Sequence, residues 1–461
     1  MTEIIRNSLR DSKAARWSAL AIVSLTMFCG YFFADMMSPL KPMLEQQLGW
    51  TSTDYGTFTS AYGWFNVFFL MLIFGGIILD KIGVRLTGLG SAAVMVIGAG
   101  IKYYAISTTF PEGATLFGLK MQVAIASLGF AIFGIGIEIA GITVSKITVR
   151  WFKGYELALA MGLQVAVARI GTLMALATPV PIAKYFGSIS SPILVVLILL
   201  CIGFLSYFAY MAMDKKLDES ELHGVKTDEE SFRAKDIFEI MSNKGFWLLA
   251  ILCVLFYSSV FPFIKYAADL MVNKYGLKPE VAGIIPSLLP LGTLFLTPLF
   301  GGIYDKKGKG ATMMIIGSAM LIVIHGLFSV PAIDSWIFAT VLVILLGIAL
   351  SLVPSAMWPS VPKIIPERQL GTAYSVIFWI QNWGLMGVPY LIGRVLDKYC
   401  ITGETVMDGV TKRSYDYTLP MLIFTSFGIM ALIVAVMLKR EDRKKGYGLE
   451  LPNIEKLKAA I

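Results

Sequence analysis

The sequence predicts an all-α membrane protein with twelve transmembrane helices in two parallel six-helix repeats. Three observations carry this. Of 461 residues, 56% are hydrophobic and only 15% charged, with mean hydropathy +0.72, more apolar surface than a water-soluble chain can hide. Apolar runs of ~20 residues, each long enough to cross a ~30 Å hydrocarbon layer, recur along the whole chain. One charged loop pattern also appears twice, at matching places in the two halves.

The runs fall at 17–39, 54–79, 87–107, 121–149, 155–178 and 190–213, then at 245–271, 280–304, 311–331, 336–357, 368–396 and 418–438. This divides the chain into an N-terminal arm 1–16, a first six-helix bundle 17–213, a polar linker 214–244, a second bundle 245–438 and a tail 439–461. The arm carries Arg6, Arg10, Lys13 and Arg16 without a small-residue cleavage site, so it reads as an orientation signal rather than a cleaved signal peptide. The linker mixes charges around a short amphipathic patch at Phe238 and Ile240 and is expected to lie along the membrane surface.

Basic residues cluster on one side of the spans: Lys81, Arg85, Arg150, Lys153, Lys306, Lys307, Lys309, Lys363, Arg368 and the run from Lys439 to Lys445. The other side has fewer, such as Lys41, Lys184, Lys274 and Lys278, partly offset by Glu45 and Glu280. The positive-inside rule places both termini in the cytoplasm. The net charge of +8 follows from this clustering, so no nucleic-acid partner is expected. Cys29, Cys201 and Cys253 lie within spans and only Cys400 near the outer surface, so no intramolecular disulfide is implied. There is no Asn-x-Ser/Thr acceptor, nucleotide loop, metal cluster or nucleophile–base arrangement. Neither an enzyme nor a cofactor or metal site is expected. The remaining partners are the bilayer and a small-molecule substrate, with the chain a monomer.

The repeat is visible directly. GIILDKIGVR (Gly76 to Arg85) follows the second span and GGIYDKKGKG (Gly301 to Gly310) follows the eighth, matching Asp80 to Asp305. ELALAMGLQVAVARIG (Glu156 to Gly171) likewise aligns with QLGTAYSVIFWIQNWG (Gln369 to Gly384), placing Arg169 opposite Asn382 and Gly171 opposite Gly384. Two matches at nearly one offset imply duplication. The paired loops resemble the signature of the major facilitator superfamily. That resemblance implies gating roles for Gly76, Asp80, Lys81, Arg85, Gly301, Asp305 and Lys306, with each Asp at a helix end set by a tight glycine turn.

Two charges lie deep in apolar runs. Glu138, in FGIGIEIAG, is about 18 Å from the helix end marked by Arg150, and Arg169 is about 21 Å from its helix start. Both reach the bilayer midplane, where an ion must face the bundle interior or a water-filled cavity. Ala131, Gly134, Glu138, Gly141 and Ser145 share one face of small residues, and Gly162, Ala166, Arg169 and Thr172 another. The two charges either form a fixed ion pair or hold a zwitterion, the substrate carboxylate on Arg169 and its ammonium on Glu138. Further cavity-lining expectations are Tyr62, Trp64, Asn66, Tyr257, Ser258, Trp379, Gln381, Asn382 and Trp383. Of these, Asn66, Tyr62, Tyr257, Gln381, Asn382 and Trp379 complete the expected substrate site. Asp35, Lys265 and Arg394, near outer span ends, are expected to snorkel or gate. His325 is expected in a supporting role and His223 solvated in the linker.

A narrower resemblance rests on WFKGYELALAMGLQVAVARIG (Trp151 to Gly171), VFPFI (Val260 to Ile264), MWPSV (Met357 to Val361) and PERQLGTAYSVIFWIQNWGL (Pro366 to Leu385). These blocks resemble the major facilitator superfamily domain-containing protein 1 group, whose lysosomal member is a dipeptide uniporter working with a glycosylated single-span subunit. The resemblance implies alternating-access transport of short peptides, uniport or proton-coupled, with the peptide termini on Glu138 and Arg169. Alternatives are an organic-anion or amino-acid transporter of the same fold, or a non-transporting receptor or assembly subunit. The basic arm lacks an acidic dileucine signal and the external loops are short. A bacterial cytoplasmic membrane is therefore expected rather than a lysosomal one, with an accessory subunit unassigned.

Overall fold

The computed structural model describes residues 9–111, 113–152, 155–221, 234–366, 369–407 and 410–452. The expected positions Arg6, Lys153, His223 and Arg368 lie outside them. The chain forms helices α1 (Lys13–Asp35), α2 (Lys41–Leu48), α3 (Ser52–Ser60), α4 (Trp64–Phe68), α5 (Met71–Ser107), α6 (Met121–Phe152), α7 (Leu157–Ala177), α8 (Pro179–Phe186) and α9 (Ser191–Glu221). A short antiparallel pair, β1 (Thr115–Leu116) and β2 (Leu119–Lys120), joins α5 to α6. There follow α10 (Ala234–Ser242), α11 (Lys244–Asn273), α12 (Pro279–Ala282), α13 (Ile284–Lys307), α14 (Gly310–Ser329), α15 (Trp336–Ile364), α16 (Leu370–Tyr399), the antiparallel pair β3 (Ile401–Met407) and β4 (Val410–Tyr415), and α17 (Thr418–Lys445). Helices dominate because a chain in lipid must satisfy its backbone internally.

Among the described residues ten helices are long and apolar enough to cross a membrane. Two expected spans depart from that pattern. Residues 52–60 read STDYGTFTS, and this polar content breaks the second span into α3, a 3-10 turn at 61–63 and α4 before α5 begins beyond left-handed Leu70. The eleventh, α16, is 30 residues long but is not among the ten. α5 itself carries the end of the second span and the whole of the third, joined at Gly83, whose φ of 79° is open only to glycine without strain.

The chain forms two compact units. The first comprises residues 1–36, 61–175 and 181–231. Within it α5 and α6 pack backbone to backbone. A Cβ on Gly98 would lie 2.4 Å from the Phe133 nitrogen, and one on Gly129 2.6 Å from the Lys102 nitrogen. Close approach through small residues is how helices associate where no hydrophobic drive exists between them. α9 runs past the expected span end into the linker, and there Asp214 and Asp218 grip two arginines. Arg85 Nε lies 3.5 Å from Asp214 and its Nη2 2.6 Å from Asp218, while Arg150 pairs with both acids. Trp151 and Tyr210 also donate to Asp214, at 3.3 and 3.1 Å.

The second unit comprises residues 37–60, 176–180 and 232–461. α10 is the amphipathic patch expected in the linker, with Phe238 exposed and Ile240 buried. Asn243 caps α11, accepting from the Gly245 and Phe246 nitrogens. Prolines 262, 290, 298, 354, 359, 362 and 389 lie inside helices α11, α13, α15 and α16. His325 is fully buried against Phe263, Phe328 and Phe424.

Candidate functional site

In the first unit the site is assembled on α6. A Cβ at Gly134 would lie 2.2 Å from the Tyr62 carbonyl oxygen, so glycine there admits the 3-10 turn of residues 61–63. One helical turn further along the same face, Glu138 Oε1 accepts a 2.8 Å hydrogen bond from the Tyr62 hydroxyl. Asn66 is fully buried, and its amide donates to the Gly134 carbonyl at 3.2 Å. Asn66 Oδ1 has no hydrogen-bond partner among the described residues.

The opposite charge is carried by α7. Gly171 lets α7 touch α1, since a Cβ there would lie 2.4 Å from the Phe28 carbonyl oxygen. That approach places the Arg169 guanidinium 6.0 Å from the Tyr31 ring centroid. Tyr31, whose ring lies beside the guanidinium, is a residue that the sequence did not mark. Glu138, Arg169 and Tyr62 are each half-buried. Thus one unit presents a carboxylate oriented by one phenol and a guanidinium beside the ring of another. Asp35 is buried rather than snorkelling.

A second unmarked charge supports this group. Lys102 is fully buried on α5, with Nζ 4.0 Å from the Phe33 ring centroid and 5.0 Å from that of Phe130. Phe130 packs in turn on Tyr62, at 5.6 Å between ring centroids. A cation desolvated between two ring faces is a favourable arrangement. Its only sequence signal was a lysine five residues from the end of a span.

The second unit repeats the framework with different chemistry. Asn382 is buried, donates to its own helix at the Phe378 carbonyl, and leaves Oδ1 without a hydrogen-bond partner among the described residues. Two residues later, a Cβ on Gly384 would lie 2.1 Å from Ser258 Oγ of α11. Gly171 against α1 and Gly384 against α11 are therefore equivalent contacts in the two repeats. Tyr257 is buried, accepting from Trp358 Nε1 at 3.2 Å and stacking on Phe261. Gln381 Oε1 accepts from the Cys253 thiol, and Trp379 packs edge-on against Trp383.

The duplicated loops are differently built from the expectation of a glycine turn. Gly76 and Gly301 lie inside α5 and α13, uncrowded. The turns are made instead by Gly83 (φ 79°) and Gly308 (φ 71°). Asp80 accepts from Lys146 of α6 at 3.0 Å, and Arg85 holds the α9 acids. Lys81 and Lys306 are exposed and Asp305 is half-buried at the end of α13.

The Major Facilitator Superfamily profile matches residues 23–389. The chain is similar to the Lysosomal dipeptide transporter MFSD1 of Homo sapiens, 28% identical over 407 residues that cover 83% of this chain and 80% of that protein. The Mus musculus protein of the same name is 29% identical over 446 residues, covering 93% and 88%. Among solved structures, a bacterial homolog of the human lysosomal transporter Spinster, inward-facing and unoccupied, superimposes with a TM-score of 0.69 at 14% identity, covering 94% of this chain and 98% of that one.

Proposed function

The chain belongs to the major facilitator superfamily and is a multi-pass membrane transporter, and from that premise we propose that it carries short peptides, dipeptides above all, by alternating access. The observation that carries the reading is the Tyr62–Glu138 and Tyr31–Arg169 arrangement on neighbouring helices of one unit. A zwitterionic peptide needs an anion for its ammonium and a planar cation for its carboxylate. A guanidinium offers the second in bidentate form. The similarity to proteins named dipeptide transporters supports the same class. The paired loops at 76–85 and 301–310 act as gates, with both termini on the cytoplasmic side.

Binding to the folded state raises apparent stability, so a thermal-shift screen of dipeptides, amino acids and carboxylates identifies the substrate class. Dipeptides are expected to stabilise the protein and to enter liposomes containing it. Arg169→Ala is expected to abolish uptake with the unfolding temperature unchanged. Stabilisation by carboxylates alone, or uptake retained in Arg169→Ala, overturns the peptide reading.

A further inference from the structure

Residues 37–60 are fastened into the second unit by buried charge. Lys41 is fully buried on α2, and its ammonium donates to Glu45 Oε1 at 2.6 Å and to Asp269 Oδ2 of α11 at 2.7 Å. Glu45 and Asp269 are buried as well. Several elements packed around the three supply polar groups. Ser52 of α3 donates to Glu45 at 3.1 Å. Tyr415 of β4 reaches Glu45 at 3.4 Å and Asp397 of α16 at 3.2 Å, and its ring lies 4.8 Å from the Lys41 ammonium. Tyr417, ahead of α17, donates to Asp269, and Asn273 donates to Asp269 Oδ1 at 3.0 Å. Asp397 has its own cation in Arg413, at 3.7 Å, and accepts from the Ser52 and Thr53 nitrogens at the start of α3.

Two carboxylates therefore share one ammonium in a buried cluster. Fully ionised, the triad carries one uncompensated negative charge, which is expensive away from water. One proton on the acid pair makes it neutral.

We infer that Lys41, Glu45 and Asp269 form a single-proton site, and that this proton holds residues 37–60 in place. Burial raises Glu45, Lys41 pulls it back, and the Asp269 carboxylate raises it again, leaving it above the ordinary glutamate range. Burial works to lower Lys41, but Asp269 and Glu45 more than offset it, so the lysine stays charged. The sign follows from linkage. The packed segment binds the proton more tightly than one whose Glu45 faces water, so falling pH keeps 37–60 packed and rising pH releases it. The inference depends on no particular substrate.

Hydrogen–deuterium exchange of full-length protein in lipid nanodiscs tests it, with backbone protection of residues 41–60 followed from pH 5 to 9 and corrected for intrinsic chemistry. In the wild type, protection is expected to fall as pH rises, approaching about tenfold per pH unit, the limit for one linked proton. Glu45→Gln, which fixes the neutral form, is expected to stay protected across the range, and Asp269→Asn to behave alike should Glu45→Gln fail to fold. Wild-type protection that does not change with pH overturns the inference, as does an undiminished pH dependence in a folded variant. Because no substrate is present, either result leaves the peptide assignment untouched.

Discussion

Replacing Gly171 by Ala tests whether the close approach of α7 to α1 is what positions Arg169. The new methyl would sit 2.4 Å from the Phe28 carbonyl oxygen and 3.2 Å from the Phe32 nitrogen. Carbon–oxygen contacts normally lie near ~3.4 Å, so α7 must retreat by about 1 Å at this point, against backbone that cannot rotate aside. Overpacking of this kind costs about 1–3 kcal/mol, partly offset by the better helix propensity of Ala, about 1 kcal/mol. A net loss of up to about 2 kcal/mol follows. Gly162, on the same helix, has nothing within 4 Å of its would-be Cβ, so Gly162→Ala keeps only the propensity gain. Thermal unfolding of the two variants should therefore bracket the wild type, Gly162→Ala at or above it and Gly171→Ala below. Since Arg169 lies two residues away, peptide uptake should fall further in Gly171→Ala than its stability does. If both variants unfold together, or Gly171→Ala is the more stable, the packing argument is wrong.

Tyr62→Phe keeps the ring on Phe130 but removes the bond to Glu138, worth about 1.5–3 kcal/mol for a charged acceptor. Dipeptide titrations by thermal shift should show affinity weakened about tenfold or more, and an unchanged midpoint would reduce Tyr62 to packing. Asp214→Asn removes the buried acid beside Arg85 and Arg150, and since both arginines are about a third exposed and keep Asp218 it should cost about 1–3 kcal/mol. Asp218→Asn, at a site 41% exposed, should cost under about 1 kcal/mol, and thermal unfolding separates the two. Leu449→Ala empties a fully buried position and should destabilise by about 2–5 kcal/mol in the same assay.

The deep charges were legible because Glu138 and Arg169 interrupt apolar runs, where an ion has few structural excuses. Tyr31 was not, since an aromatic beside Phe32 and Phe33 looks like ordinary packing; only the contact with α7 gives it a role. Lys41 and Glu45 read as loop charges on the sparsely basic side. Their i,i+4 spacing hinted at a pair, but Asp269 is 228 residues away and no local pattern reaches that far. The break in the second span was written in STDYGTFTS, whose polar groups bond within α3 and to Asp397. Hydropathy averaged over a whole span conceals such a break.

The duplicated loop shows why a repeat in sequence need not be a repeat in mechanism. The first copy ends in Arg85 where the second has Gly310. Arg85 is held by the acids on the extension of α9. In the second unit the chain beyond α17 turns back at Gly446 and lies across the loop instead. The Lys309 and Gly310 nitrogens donate to the Glu450 and Leu449 carbonyls, each at 2.9 Å. The Glu450 carboxylate caps α14 at the Thr312 nitrogen, and Lys363 takes the Leu451 carbonyl at 2.8 Å. A Cβ on Gly310 would stand 2.7 Å from the Tyr304 ring and 2.9 Å from the Leu449 oxygen, so no side chain fits there, least of all an arginine. In the first unit the last helix fastens the loop by side-chain charge, and in the second the chain beyond the last helix does so, mainly by backbone. Where the first copy has Arg85 and its salt bridges, the second has Gly310 and the tail packed against it.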